Sequence, residues 1–333
     1  AYIVVGTVWA KTIGGAGAET INDVRATSDD TLIVAGAVST EDNGADMYVA
    51  KFKTDGTLVW ENTFGGSGDE TGAAIVETSS GDYFATGSTT SGGALGSDVY
   101  LVKLSGTGAL IWEKHYGLFG YEAGNDIALS GTNIVFIAGE TRSYAPYYQN
   151  GYLVKVDANG MLYDDWPKIV ETDGANRARA LCVSGDVVAL AGETSGGVSG
   201  FLPDLYAEAL NKDGVKQWSA TYGGIGADSA YDILPVGDGA FLMCGAYTTM
   251  TVTGTDMVLV KLDNKGAVSW GVTFGGVKRE EGRALVKASD GNYLLLGQTY
   301  SYGAGDSDFW LVKADAAGDT FWRLSQTYGV SIQ

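Results

Sequence analysis

The chain has 333 residues, 45% of them hydrophobic, with 50 Gly, 4 Pro and a single His; 21 Lys and Arg stand against 40 Asp and Glu, a formal net charge of −19. That charge argues against a nucleic-acid binder, because a phosphate backbone requires a basic face, and against docking on anionic lipid, while one His excludes multi-His metal centres and leaves little room for a His-dependent triad. The hydrophobic content excludes a disordered chain, and no apolar run is long enough to cross a bilayer as a helix, so neither nucleic acid nor membrane insertion is expected.

The first predicted element is a strand, Tyr2-Ile3-Val4-Val5-Gly6-Thr7-Val8-Trp9, and its tryptophan opens a series. Trp9, Trp60, Trp112, Trp166, Trp218, Trp270 and Trp322 follow one another at intervals of 51, 52, 54, 52, 52 and 52 residues. A glycine recurs at Gly36, Gly87, Gly139, Gly192, Gly245 and Gly297. A lysine recurs at Lys51, Lys103, Lys155, Lys261 and Lys313, with Ala209 in the fourth copy. Before that column come Asp46, Asp98, Asn150, Asp204, Asp256 and Asp308; after the first six tryptophans come Glu19, Glu70, Glu122, Asn176, Asp228 and Glu280. So many columns in register identify an internal repeat.

Each period reads as four strands. In the second, TGAAIVET is a short apolar run, SSGD a turn, and YFATGSTT an alternating strand. A Gly/Ser loop leads to DVYLVKL, whose unbroken apolar run suits a strand buried on both faces. SGTG then turns the chain into ALIWEKHYG. The equivalent turns TDGT, DANG and DNKG all place Gly where a hairpin needs positive φ. Four antiparallel strands repeated every ~50 residues match the blade of a β-propeller. Six copies of the first three strands predict an all-β, six-bladed propeller. It is a single domain over 1–333, with 1–14 as an extra N-terminal strand.

The pattern WENTFGGSGDE, GDYFATGST, SDVYLVKL and GALIW resembles a class of secreted bacterial and archaeal β-propeller repeat proteins, and does so over essentially the whole chain. The resemblance implies a propeller and an extracellular or cell-surface location; it implies no chemistry. The G-x-L-x-W piece is also similar to the tryptophan-docking motif of quinoprotein propellers, but the chain has no vicinal cysteine pair, and no cofactor is expected. The absence of a leading Met fits a mature secreted product, a removed tag or Met excision. Cys182 and Cys244 sit in apolar strand contexts and read as buried free thiols.

The repeated polar columns have two readings. One carboxylate per blade is poor geometry for Ca²⁺, which needs 6–8 oxygens converging on a point. The Asp column therefore reads as turn capping, and the Trp column as blade-to-blade packing. Glu19, Glu70, Glu122, Asp228 and Glu280 precede the innermost strand; they either ring one mouth of a channel and attract a cation, or cap their own loops. His115 reads as a strand surface residue, and with no G-x-S-x-G elbow and no P-loop the chain is not expected to be an enzyme.

Function is sought where the copies differ. With the four strands of a blade lettered A to D in chain order, the D–A and B–C loops share one side of the ring, and in blades 3 and 4 they carry Phe119, Tyr121, Arg142, Tyr144, Tyr147, Tyr148, Arg177 and Arg179. Of these, the aromatics and Arg142 form a plausible surface for a glycan or a cell-surface protein. The chain ends provide a second break in symmetry. Seven fourth-strand-like segments serve six blades, so one of them is surplus. Tyr2, Ile3, Val4, Val5, Val8 and Trp9 are apolar enough that the surplus strand must pack, either onto its own blade or onto another copy. The leading expectation is an extracellular structural subunit that self-assembles, into a homo-oligomer or filament, through this strand. A secreted recognition module is the alternative.

Overall fold

The structure is a computed structural model. It describes residues 12, 14, 17–40, 44–92, 96–144, 149–170, 172, 174–195, 202–224, 226–248, 254–303 and 305–320. Each copy of the repeat forms one antiparallel sheet in chain order. Blade 1 is β1 (Glu19–Ala26), β2 (Thr31–Thr40), β3 (Gly44–Lys53) and β4 (Leu58–Phe64). Blade 2 is β5 (Glu70–Glu77), β6 (Tyr83–Thr89), β7 (Asp98–Leu104) and β8 (Leu110–Tyr116). Blade 3 is β9 (Glu122–Ser130), β10 (Ile134–Thr141), β11 (Asn150–Asp157) and the short β12 (Lys168–Val170). Blade 4 is β13 (Asn176–Ser184), β14 (Val187–Thr194), β15 (Asp204–Asn211) and β16 (Lys216–Tyr222). Blade 5 is β17 (Ser229–Gly237), β18 (Ala240–Thr248), β19 (Thr255–Leu262) and β20 (Val268–Phe274). Blade 6 shows β21 (Glu280–Lys287), β22 (Tyr293–Thr299) and β23 (Asp308–Ala314) among the described residues. The protein is an all-β, six-bladed propeller with mostly four strands to a blade.

The chain divides into two compact units, 1–147 with 152–167 and 148–151 with 168–333. In the first, β1, β5 and β9 lie side by side; in the second, β13, β17 and β21 do. The first strand is thus the innermost of each blade. Apolar faces close between blades: Ile33, Met47 and Val49 of blade 1 pack on Ile75, Tyr83 and Tyr100 of blade 2. In the second unit Leu205 and Ala207 pack on Ile233, Phe241 and Met243, and Leu242 and Leu259 pack on Leu295 and Trp310.

The repeated tryptophan docks on the next blade. An added Cβ on Gly108, in the blade 2 hairpin, would stand 2.6 Å from the Trp60 ring, and Gly266 stands in the same relation to Trp218 at 2.5 Å. The hairpin glycine has a positive φ, 84° at Gly108 and 79° at Gly266, which also brings its bare face to the indole. Trp166 departs from this arrangement. It precedes β12 instead of lying within a fourth strand, and Lys155 Nζ stands 5.4 Å from its ring.

Sequence periodicity does not reveal one feature present in every blade. The pairing of first with second strand skips one residue, at Asn22, Ala73, Asn125, Arg179, Tyr231 and Arg283 in turn. Each is the inserted residue of a β-bulge, which bends the strand and re-aims that side chain. The bend drives a carbonyl oxygen against the recurring second-strand glycine. A Cβ on Gly36 would lie 1.9 Å from Thr20 O, on Gly87 1.8 Å from Thr71 O, and on Gly245 2.0 Å from Ser229 O. The glycine column exists because nothing larger fits beneath the bulge.

Candidate functional site

Blade 3 carries the most exposed aromatic cluster among the sequence candidates. Its D–A and B–C loops are tied together, with Arg142 N donating to Tyr121 O at 2.9 Å and Gly120 N to Ser143 Oγ at 2.8 Å. This brings four of the predicted residues into one patch. Phe119 is 78% exposed; Tyr121 and Tyr144 are each exposed at about half that level, and the Arg142 guanidinium lies 5.3 Å from the Tyr121 ring centre. Tyr144 rests on the buried Tyr152, with ring centres 5.9 Å apart. Tyr147 and Tyr148 lie outside the described residues, as does the whole of the proposed assembly strand, Tyr2, Ile3, Val4, Val5, Val8 and Trp9.

The acidic column caps loops. Glu70 is fully buried and accepts from Gly66 N at 2.7 Å, Thr89 Oγ1 at 2.6 Å and Ser91 N at 3.2 Å. Burial pushes its carboxyl up, but these hydrogen bonds together hold it below its ordinary value. Glu122 accepts from Leu118 N and Thr141 Oγ1, and Glu280 from Gly276 N, Thr299 Oγ1 and Ser301 N. Asp228 accepts from Gly224 N and Thr248 N. Glu19 is half-buried. Glu70, Glu122, Asp228 and Glu280 each bind the loop and second strand of their own blade, and among the described residues no group of three metal-type ligands forms.

The two acidic columns also meet. An added Cβ on Gly65 would stand 2.3 Å from both Asp46 Oδ1 and Glu70 Oε2. Gly117 lies between Asp98 and Glu122, and Gly275 between Asp256 and Glu280, in the same way. At the corresponding positions of β11 and β13 both residues are amides, and Asn176 Nδ2 donates to Asn150 Oδ1 at 3.5 Å. Burial, then the neighbouring Glu70, raises the Asp46 carboxyl above its ordinary range; burial and then Glu122 do the same for Asp98, against a smaller lowering by His115.

Other reactive groups are quiet. His115 is exposed on β8, edge-on to Tyr100. Cys182 and Cys244 are buried free thiols, and burial holds Cys244 well above its ordinary value, away from the reactive thiolate. A cavity of about 550 Å³ in blade 1 is lined by Thr20, Ile21, Val38, Tyr48 and Glu61, among others. Its Tyr48 hydroxyl donates to Glu61 at 2.6 Å, and burial followed by that bond raises the phenol further from ionisation.

The bulge residues Tyr231 and Arg283, with Arg279, stand out only in the structure. Tyr231 and Arg283 belong to a column that no repeat pattern highlights, because its six members run Asn, Ala, Asn, Arg, Tyr and Arg.

No protein-family description matches the chain, and no curated protein does. Solved structures match by fold. A puromycin hydrolase superposes with a TM-score of 0.56 at 14% identity, over 90% of this chain and 46% of its own, so the chain spans about half of that enzyme. Sqt1 from Chaetomium thermophilum gives 0.50 at 12% identity, over 92% of this chain and 71% of Sqt1. The Neurospora crassa Pan2 WD40 domain gives 0.51 at 12%, over 91% and 88%. At such identities the likeness is one of fold alone.

Proposed function

We propose that the chain is a non-catalytic, extracellular structural subunit that assembles with copies of itself through segment 2–9, and that it belongs with the secreted propeller repeat proteins its motifs resemble. One observation carries this reading. Blades 1 to 5 each take their fourth strand from the segment that directly follows their third. In blade 6, Thr320 bridges Ala314 in the register that joins Leu110 to Leu104 and Val268 to Leu262. The fourth place of blade 6 is thereby begun from the C-terminal side, which supports leaving segment 2–9 without a blade of its own. Each of its Val and Ile side chains gains about 1.5–3 kcal/mol from burial, so a neighbouring copy's sheet edge is a favourable destination. A head-to-tail contact of this kind propagates into a fibre when it does not close. Deleting 1–8 tests the reading by light scattering and electron microscopy: the native chain assembles and the truncated one folds as a monomer. A native chain that stays monomeric at every concentration, or a truncation that assembles unchanged, contradicts it.

A second reading rests on Phe119. An aromatic ring 78% exposed beside a stacked Arg–Tyr pair is a costly thing to leave in water and a ready platform for a sugar or protein surface. Under this reading a glycan array gives binding that Phe119→Ala weakens about tenfold or more; no binding to any glycan or cell surface counts against it.

A further inference from the structure

The fourth strand is the outer edge of its sheet, and an edge row of N–H and C=O groups invites pairing with another chain unless charge or bulk blocks it. Charge guards most of the described edges. β4 carries Glu61, β8 carries Glu113 and Lys114, β12 begins with Lys168 and β16 with Lys216. β20, VSWGVTF, carries none, and residues 266–277 around it hold no charged side chain in a protein of net charge −19.

The loss is matched by a second change in the same blade. In blades 1 and 2 the edge carboxylate accepts from a third-strand phenol, Tyr48 to Glu61 at 2.6 Å and Tyr100 to Glu113 at 2.5 Å. The corresponding positions of blade 5 are Val258 and Gly271, so neither half of the pair remains. Trp270, Val272 and Phe274 turn one face of β20 onto the core, while Ser269, Gly271 and Thr273 lie exposed on the other. These are small residues: an added Cβ on Gly271 would meet nothing nearer than 3.8 Å. Among the described residues, no backbone hydrogen bond ties β20 to anything but its own sheet.

Segment 2–9 has the chemistry this edge accepts. YIVVGTVW offers eight residues to the seven of β20, is rich in β-branched side chains and carries no charged one. Two uncharged strands pair without burying an ion, which the other described edges would require. We propose that β20 is the acceptor edge: segment 2–9 of one copy adds to blade 5 of the next as a fifth strand. β20 takes this role only if segment 2–9 is the assembling strand, the reading on which the assignment rests.

The test adds charge to two edges. Ser269→Lys with Thr273→Lys alters β20, and Val59→Lys with Thr63→Lys alters the same positions of β4. Light scattering should show the β20 variant assembling only at about tenfold higher concentration or not at all, because pairing then crowds ammonium groups against the incoming strand. The β4 variant assembles as the native chain does. If the β20 variant fails to fold, amine cross-linking of native assemblies decides: Lys11 joins Lys265 or Lys278, which bracket β20, and not Lys114 of β8 or Lys216 of β16. A β20 variant that assembles like the native chain, an equal loss in the β4 variant, or cross-links from Lys11 to Lys114 or Lys216 overturns the assignment and leaves assembly through segment 2–9 standing. A native chain that stays monomeric, or assembly unchanged by deleting 1–8, overturns both.

Discussion

Gly87 has almost no freedom to change. A methyl group there would stand 1.8 Å from Thr71 O, and both partners are backbone in a paired strand, so neither can move aside alone. Gly87→Ala should lower unfolding free energy by about 3 kcal/mol, the upper end of overpacking costs. Gly81 is the matched control. It has φ 82° but nothing within 4 Å of an added Cβ, so Gly81→Ala should cost only about 1 kcal/mol of backbone strain. Urea denaturation of the two variants checks this; equal losses would mean that the close approach is not what fixes the glycine column. The column itself was plain in the sequence. Its reason was not, because a bulge adds one residue to a strand without altering the side-chain chemistry that periodicity reads. Arg179, Tyr231 and Arg283 escaped for the same cause: Arg179 was visible as an oddity of the fourth copy, but nothing linked it to Tyr231 or Arg283 until the bulges set all three at one position.

At the scale of strands, the paired acids join the start of a third strand to the start of the next blade's first strand. Asp98 opens β7 and Glu122 opens β9, with Gly117 between them. Reading the sequence located both columns but treated them separately, since their convergence depends on how consecutive blades pack. The consequence is a pH dependence whose sign follows from the shift. The folded Asp98 carboxyl has its pKa raised by burial and by Glu122, so its stabilising contribution is fully present below the unfolded value of about 3.9 and is lost as pH rises through the folded value. Asp98→Asn mimics the protonated form, as Asn150 does beside Asn176. The difference in Tm between variant and native protein should therefore be more favourable to the variant at pH 7 than at pH 4. An identical difference at both pH values, or the reverse order, would show that the pair is not electrostatically strained. Glu70 works in the opposite sense, its lowered carboxyl stabilising above its unfolded value and losing that contribution as pH falls, so the comparison must be made on the single Asp substitution.

For the whole molecule, the blade count was legible because the repeat is complete and its strands are short, apolar and separated by Gly turns such as that at Gly56. Function is harder to read for the same reason. Columns that agree, such as Trp60 on Gly108, describe how a blade holds its neighbour, and only departures such as Phe119 or the uncharged β20 carry anything further. Segment 2–9, proposed above as a surplus strand, is the largest departure in the sequence, and the central claim is the proposal that it pairs between copies. The direct measurement is amine cross-linking of assembled protein prepared from equal parts of light and nitrogen-15-labelled chains, read by mass spectrometry at the peptide containing Lys11. The account predicts mixed light–heavy cross-links from that peptide to blade residues. Cross-links that join only chains of the same label would place the strand within its own molecule and contradict it.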